Sequence, residues 1–456
     1  MGILKADTDT GLKSDKLGLM EKVSFGFGDL ASNFVWGMIS SYLLFFYTNV
    51  FGIAAAATGT LFLITRVLDA VIDPFFGILI DHTKSKHGKA RPYLLYLAIP
   101  LGVISILAFI TPNFSPDAKL VYAYVTFLLL GIVYSGINVP YGALLAMMTR
   151  NSYEKTQLGG FRMMGLGLGS TLVAACTMPL VNFFGNGNQK IGFPVTMAVY
   201  SIIGVILFLL VFKNCKERYS GHSVHEDKGT IGKSLINMLK NQPWLMIAIG
   251  SIIQFLRIGV VFSVLIYYAM YVLKQPAMGP VLLTLSNGGS FIGGAIASPI
   301  LKRLGNRNGS IIVLSATTLL FVLLIFLEKQ PILFAVILFI AFILIGVSGA
   351  AIYAMLADTA DYQEWKFGRR TEGLLYSVYS FATKFGIAIG SAFAAYALGW
   401  AGYDPKAITG TAINAIRVLL YAGAILFTVG QIITLIFYKL DKHHAQIVKE
   451  LNERVL

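Results

Sequence analysis

Apolar residues run through this chain in long blocks separated by short polar intervals. About twelve blocks lie near 22–48, 56–80, 93–112, 119–148, 158–184, 192–213, 241–272, 279–301, 310–328, 331–357, 372–400 and 411–438. A helix needs about 20 apolar residues to cross a bilayer core. Irregular backbone cannot face lipid, so the blocks are predicted to be helices. The expected fold is all-α and polytopic: twelve transmembrane helices in two six-helix, pseudo-symmetric halves. The pattern divides the chain into an N-terminal segment (1–21), a first bundle (22–213), a central loop (214–240), a second bundle (241–438) and a tail (439–456). A short echo points to repeated halves. Pro74-Phe75-Phe76-Gly77 leads into a basic turn after the second span, and Pro299-Ile300-Leu301-Lys302-Arg303 does the same after the eighth. Parallel membrane repeats place their ligand site between the halves, near the midplane.

Composition agrees with this pattern. Of 456 residues, 56% are hydrophobic and 13% charged, against about 25% charged in a soluble domain. The first 20 residues lack the apolar core of a secretory signal, so the first span is expected to act as its own insertion signal. The net charge of +14 would suit a nucleic-acid binder, but its placement argues otherwise. Basic residues gather in alternate loops: Lys84, Lys86, Lys89 and Arg91; Arg150 and Lys155; Lys216, Arg218, Lys228 and Lys233; Lys302, Arg303 and Arg307; Lys366, Arg369 and Arg370. The positive-inside rule then puts both termini and the central loop in the cytoplasm of a cell-membrane protein. The charge is a topology signal with a further use in touching anionic lipid, and no nucleic-acid partner is expected. Cys176 and Cys215 have neither disulfide-framework nor metal spacing.

Polar residues inside spans carry the candidate chemistry. Asp69 and Asp73, in Arg66-Val67-Leu68-Asp69-Ala70-Val71-Ile72-Asp73-Pro74, share one helix face. Two carboxylates so close need a cation or a proton between them, which makes the pair a cation-binding candidate and a metal site if the ion is sodium. The alternative is neutralisation by Arg66, with a purely structural role. In the fourth span Pro140 frees a backbone carbonyl near Gly136, and Ser135 adds a neutral oxygen; a simple proline kink is the alternative. Asn33 with Trp36 suits a sugar, whose hydroxyls take hydrogen bonds and whose ring faces stack on aromatics. Interhelical packing is the competing reading. Arg162 is placed either to snorkel or to bind substrate, and Arg257, deep in the seventh span, needs an acid or an anionic ligand. All six histidines fall outside the spans. No nucleophile–base set, metal cluster or phosphate loop is visible in the spans, so enzyme chemistry is not expected.

Several stretches together resemble one family. They are Arg66 to Gly77 followed by Asp81-His82-Thr83 and Gly88-Lys89-Ala90-Arg91-Pro92, Tyr134 to Tyr141, and Ala357-Asp358-Thr359-Ala360-Asp361-Tyr362 running on to Glu372-Gly373 and Lys384. The chain resembles the glycoside–pentoside–hexuronide:cation symporters of the major facilitator superfamily over nearly its whole length. The resemblance implies uptake of a glycoside coupled to Na⁺ or H⁺, with no other cofactor. By resemblance, Asp69, Asp73 and Ser135 hold the coupling ion. Lys384 touches both ion and sugar regions, Arg162 lies at the sugar site, and Tyr134, Ser380 and Thr383 fall beside sugar-site positions. Asn33 and Asn138 stand where the melibiose carrier has two sugar-binding aspartates, Ile72 replaces its cation-site asparagine, and Gly142 its stacking tryptophan. The paired asparagines are similar to the glucuronide carrier. A glucuronide or a xyloside is the expected substrate, handled by a monomer. A lipid or drug transporter and a passive facilitator are the alternatives on the same fold.

Overall fold

The computed structural model describes residues 16–53, 55–219, 236–403 and 408–453. Most of the expected N-terminal segment and central loop fall outside these residues. Twelve long helices follow one another: α1 (Leu19–Phe45), α2 (Ala55–His82), α3 (Arg91–Leu107), α4 (Pro116–Met148), α5 (Ser152–Gly185), α6 (Gln189–Asn214), α7 (Gln242–Tyr267), α8 (Met278–Leu304), α9 (Asn306–Leu324), α10 (Pro331–Phe367), α11 (Glu372–Trp400) and α12 (Gly410–Phe437). A short α13 (His444–Glu453) completes the described chain. Local sequence sets many of the starts. Pro92, Pro116, Pro243 and Pro331 sit in first turns, where a missing N–H costs nothing. Ser115, Asn151, Asn188, Asn241 and Thr409 cap helices by accepting backbone N–H bonds.

The packing repeats with a period of six helices. In the first half α1 packs on α5 and α6, α3 on α4 and α6, and α2 on α4; in the second, α7 packs on α11 and α12, α9 on α10 and α12, and α8 on α10. The first helix of each half also ends in a π-helical turn, Phe46–Phe51 after α1 and Tyr268–Val272 after α7. The halves meet crosswise: α5 lies against α8 and α10, and α11 against α2 and α4. Glycines set these crossings. A Cβ on Gly159 of α5 would sit 2.3 Å from the Ala350 carbonyl oxygen of α10, and one on Gly373 of α11 would sit 2.3 Å from that of Gly77 in α2. Only a residue without a side chain lets the backbones approach so far.

Two boundaries differ most from expectation. α10 continues ten residues past 357, and α5 begins six residues before 158. The extra turns carry charged residues that find partners across the halves.

Candidate functional site

At the end of the molecule that carries the basic loops, the halves are clamped by charge. Lys155, fully buried on α5, donates to Asp358 Oδ1 at 2.9 Å and to Asp361 Oδ2 at 2.5 Å on α10. Arg370, between α10 and α11, binds Asp361 at 2.6 Å and Glu364 at 2.9 Å, contacts Glu372, and donates to the Ala146 carbonyl of α4 at 2.7 Å. Burial alone would loosen the Arg370 proton; Asp361, Glu372 and Glu364 raise its pKa above the ordinary value. Arg150 reaches Glu364 at 2.8 Å. Asp81, at the end of α2, accepts the Gly373 and Leu374 N–H groups at 2.9 and 3.0 Å and so caps α11 from the other half. α13 closes over the cluster through His444, which lies 3.0 Å from Asp361. Asp358, Asp361 and His444 have the proximity of a metal site. The Lys155 ammonium already stands between the two carboxylates, so a cation there would have to displace it.

At mid-depth a second bridge crosses the other way. Lys384 of α11, in the second half, donates to Asp73 Oδ1 on α2 at 3.0 Å and to Ser135 Oγ on α4 at 3.2 Å. Asp73 and Ser135 are fully buried, while the lysine side chain is 10% exposed. Ser380 lies one turn before Lys384 on the same helix. Asp69 falls within α2, but its side chain and that of Arg66 lie outside the described residues.

A third cluster is built mainly from the first half, with Tyr353 of α10 added from the second. Arg162 Nε and Nη2 donate to the two carboxylate oxygens of Asp29 at 2.7 and 3.2 Å, a bidentate pair. Its guanidinium is sandwiched between the rings of Tyr141 and Tyr353, at 4.8 and 4.1 Å from their centroids. Tyr141 donates to Asp29 at 2.7 Å. Asn33 donates to the Asp29 carbonyl at 2.9 Å and accepts from Ser170 at 2.9 Å. Trp36 stacks on Tyr134 with centroids 4.8 Å apart. Asn138 is half-buried one turn beyond Tyr134.

The structure therefore brings Asp73, Ser135 and Lys384 together, and Asn33 and Arg162 around Asp29. It does not bring Arg257 to them. That residue is 2% exposed and donates to Thr428 of α12 at 2.9 Å, within the second half. Among the described residues no acid lies within ion-pair distance of it, so the expected acidic partner is not found. Sequence reasoning missed the Asp29–Arg162 pair and the bracketing tyrosines. Asp29 and Arg162 are both legible as charges inside spans, but nothing local joins α1 to α5.

A family model described as MFS/sugar transport protein matches residues 24–442. The chain belongs to this family of major-facilitator sugar transporters. An isoprimeverose transporter from Lactiplantibacillus pentosus is 34% identical over 95% of this chain and 91% of its own length. A glucuronide carrier protein homolog from Escherichia coli (strain K12) is 31% identical over 95% of both chains. Among solved structures, the major-facilitator transporter FucP in the outward conformation covers 90% of this chain and 97% of its own, with TM-score 0.67 and 12% identity, a likeness of fold. The protein is thus a multi-pass sugar symporter of the major facilitator superfamily and not an enzyme. The twelve long helices among the described residues, in two six-helix halves, are the architecture expected of it.

Proposed function

We propose that this transporter imports a neutral glycoside together with a proton, with xylosides the first class to test. The observation that carries the reading is the Lys384–Asp73 pair across the halves, shared with Ser135. A protein ammonium stands where a coupling cation would bind, and the two compete for one carboxylate. A proton on Asp73 neutralises it and weakens its hold on Lys384, so ion binding and the bridge between the halves oppose each other. Asp69, by resemblance, completes the site. Ile72 brings no oxygen to it, which favours a proton over sodium.

The Asp29–Arg162 pair supports a neutral sugar. Arg162 already has a bidentate carboxylate partner, and breaking it to hold a uronate would leave Asp29 buried and unpaired, at about 3–5 kcal/mol. Arg257 offers no second cation, because it faces α12. Asn33, Asn138 and Ser380 then supply hydrogen bonds to hydroxyls, and Trp36 with Tyr134 an aromatic face. The basic end is cytoplasmic in this reading, with both termini there and a monomer as the working unit.

Proteoliposomes should accumulate xylosides down an inward proton gradient with or without Na⁺, in preference to glucuronides and galactosides. Asp73→Asn should abolish accumulation. Strict Na⁺ dependence would overturn the proton, a preference for glucuronides would overturn the neutral substrate, and absence of gradient-driven accumulation in the unaltered protein would leave a passive facilitator.

A further inference from the structure

The second half carries a buried positive charge that its described residues do not balance. Arg257 lies on α7, 2% exposed. Its Nη1 donates to Thr428, while Nη2 is buried and makes no hydrogen bond. One turn away, Gln254 and Gln431 bond to each other at 3.0 Å, and Gln431 Oε1 is also buried and unbonded. The four side chains form a polar plug between α7 and α12, spaced three residues apart on each helix.

Every acid of the second half among the described residues lies far from this plug. Residues 241–438 contain six: Glu328, Asp358, Asp361, Glu364, Glu372 and Asp404. Gly390 of α11 packs on the Leu256 carbonyl, which fixes the level of Arg257 on that helix. Glu372 begins α11, about 27 Å lower at 1.5 Å per residue. Asp358, Asp361 and Glu364 sit at the same end, where Thr359 and Gln363 bond Asn241, about 24 Å from Arg257 along α7. Glu328 is engaged by Arg417 at 2.9 Å, about 16 Å along α12 from Thr428. Asp404 lies outside the described residues. A guanidinium does not shed its proton in a protein, and an uncompensated charge in the membrane interior is costly. The substrate cannot supply the counter-charge, because α12 packs on α7 and α9 and stays away from the crossings between the halves.

We propose that Arg257 holds a small monovalent anion, of the halide class, in the α7–α12 seam, with Nη2 as its main donor. The anion is a resident counter-ion that stabilises the second half. It is distinct from the coupling ion and from the sugar.

Two measurements on the purified full-length transporter test this. Bromide should give an anomalous scattering peak within hydrogen-bond distance of Arg257 Nη2. At matched ionic strength and pH, melting should shift upward by at least about 2 °C when gluconate is replaced by chloride or bromide, and the shift should saturate. Arg257→Met, which removes the charge and keeps an apolar filling, should melt at one temperature in all three salts. If that variant does not fold, the unaltered protein still decides. A peak without a saturable shift is binding at crystal concentration only and overturns the proposal. So does an ordered water alone at Nη2, or a bicarbonate-dependent shift that no halide reproduces. A halide-dependent shift that survives unchanged in Arg257→Met places the anion elsewhere and overturns it as well. None of these outcomes depends on which glycoside is carried.

Discussion

Two lysines bridge the halves of this molecule in opposite directions, and they differ in kind. Lys155 reaches from the first half to two carboxylates, Asp358 and Asp361, and is fully buried. Arg370, Arg150, His444 and the Asp81 cap surround the same junction. Lys384 reaches from the second half to Asp73 and a serine, with its side chain 10% exposed. The first bridge sits in a network with several partners, so displacing one contact leaves the others. The second crosses at a single lysine that keeps slight exposure, so in the proposed reading an incoming cation can exchange with it. A rocking transporter needs both: a clamp that holds one end shut and an exchange site that reports whether the ligands have arrived. In the proposed reading the two jobs fall to pseudo-symmetric helices, α5 where it meets α10 and α11 where it meets α2.

The comparison breaks most visibly at Lys155. Lys155→Met leaves Asp358 and Asp361 facing each other in a buried site, and removing one partner of a buried pair costs about 3–5 kcal/mol. The expected outcome is a lowered melting temperature together with faster thiol labelling of a Ser377→Cys probe, which is buried at the α2–α11 crossing. Unchanged labelling would mean that the clamp does not hold that end shut.

A steric change tests the same end without touching charge. Gly373→Val places a side chain where even a Cβ would lie 2.3 Å from the Gly77 carbonyl oxygen. Overpacking of this sort costs about 1–3 kcal/mol, equivalent to roughly 5- to 150-fold in the closing equilibrium. Uptake turnover should fall accordingly, while sugar binding persists in the state open at the other end. Equal loss of binding and turnover would show that the crossing matters for folding and not for closure.

Much of this architecture is legible in the sequence, because a bilayer demands long apolar runs and leaves few alternatives. The twelve spans and the split at the central loop follow from that demand. The polar ends are less legible. The apolar run of α10 stops near Met355, yet the helix continues to Phe367, since Asp358, Asp361 and Glu364 are matched by Lys155 and Arg150 from distant parts of the chain and by Arg370 just past the helix end. The Asp29–Arg162 pair was hidden for the same reason. The charges were visible, but the pairing depends on how α1 packs on α5. Lys384 is legible as a cation of the second half set against acids clustered in the first, and family resemblance adds the ion site; spacing alone gives no hint of a contact 311 residues apart.

The finest test of the comparison is Ser135→Ala. Ser135 accepts a 3.2 Å bond from Lys384 and lies next to Asp73 in the proposed ion site. A hydrogen bond of this kind is worth about 1 kcal/mol, close to a fivefold change. The direction separates two roles. If the coupling ion is a proton, the serine matters only by holding the ammonium near Asp73. Its loss then weakens the competitor, and the pH midpoint of xyloside uptake moves upward, by about 0.7 pH units. If the ion is sodium, the serine oxygen is one of its ligands, and the apparent Na⁺ affinity falls by a similar factor while the pH midpoint stays put. Uptake measured across pH at fixed Na⁺, and across Na⁺ at fixed pH, reads both shifts. An unchanged midpoint in both series would show that the Ser135 bond adds nothing to the ion site.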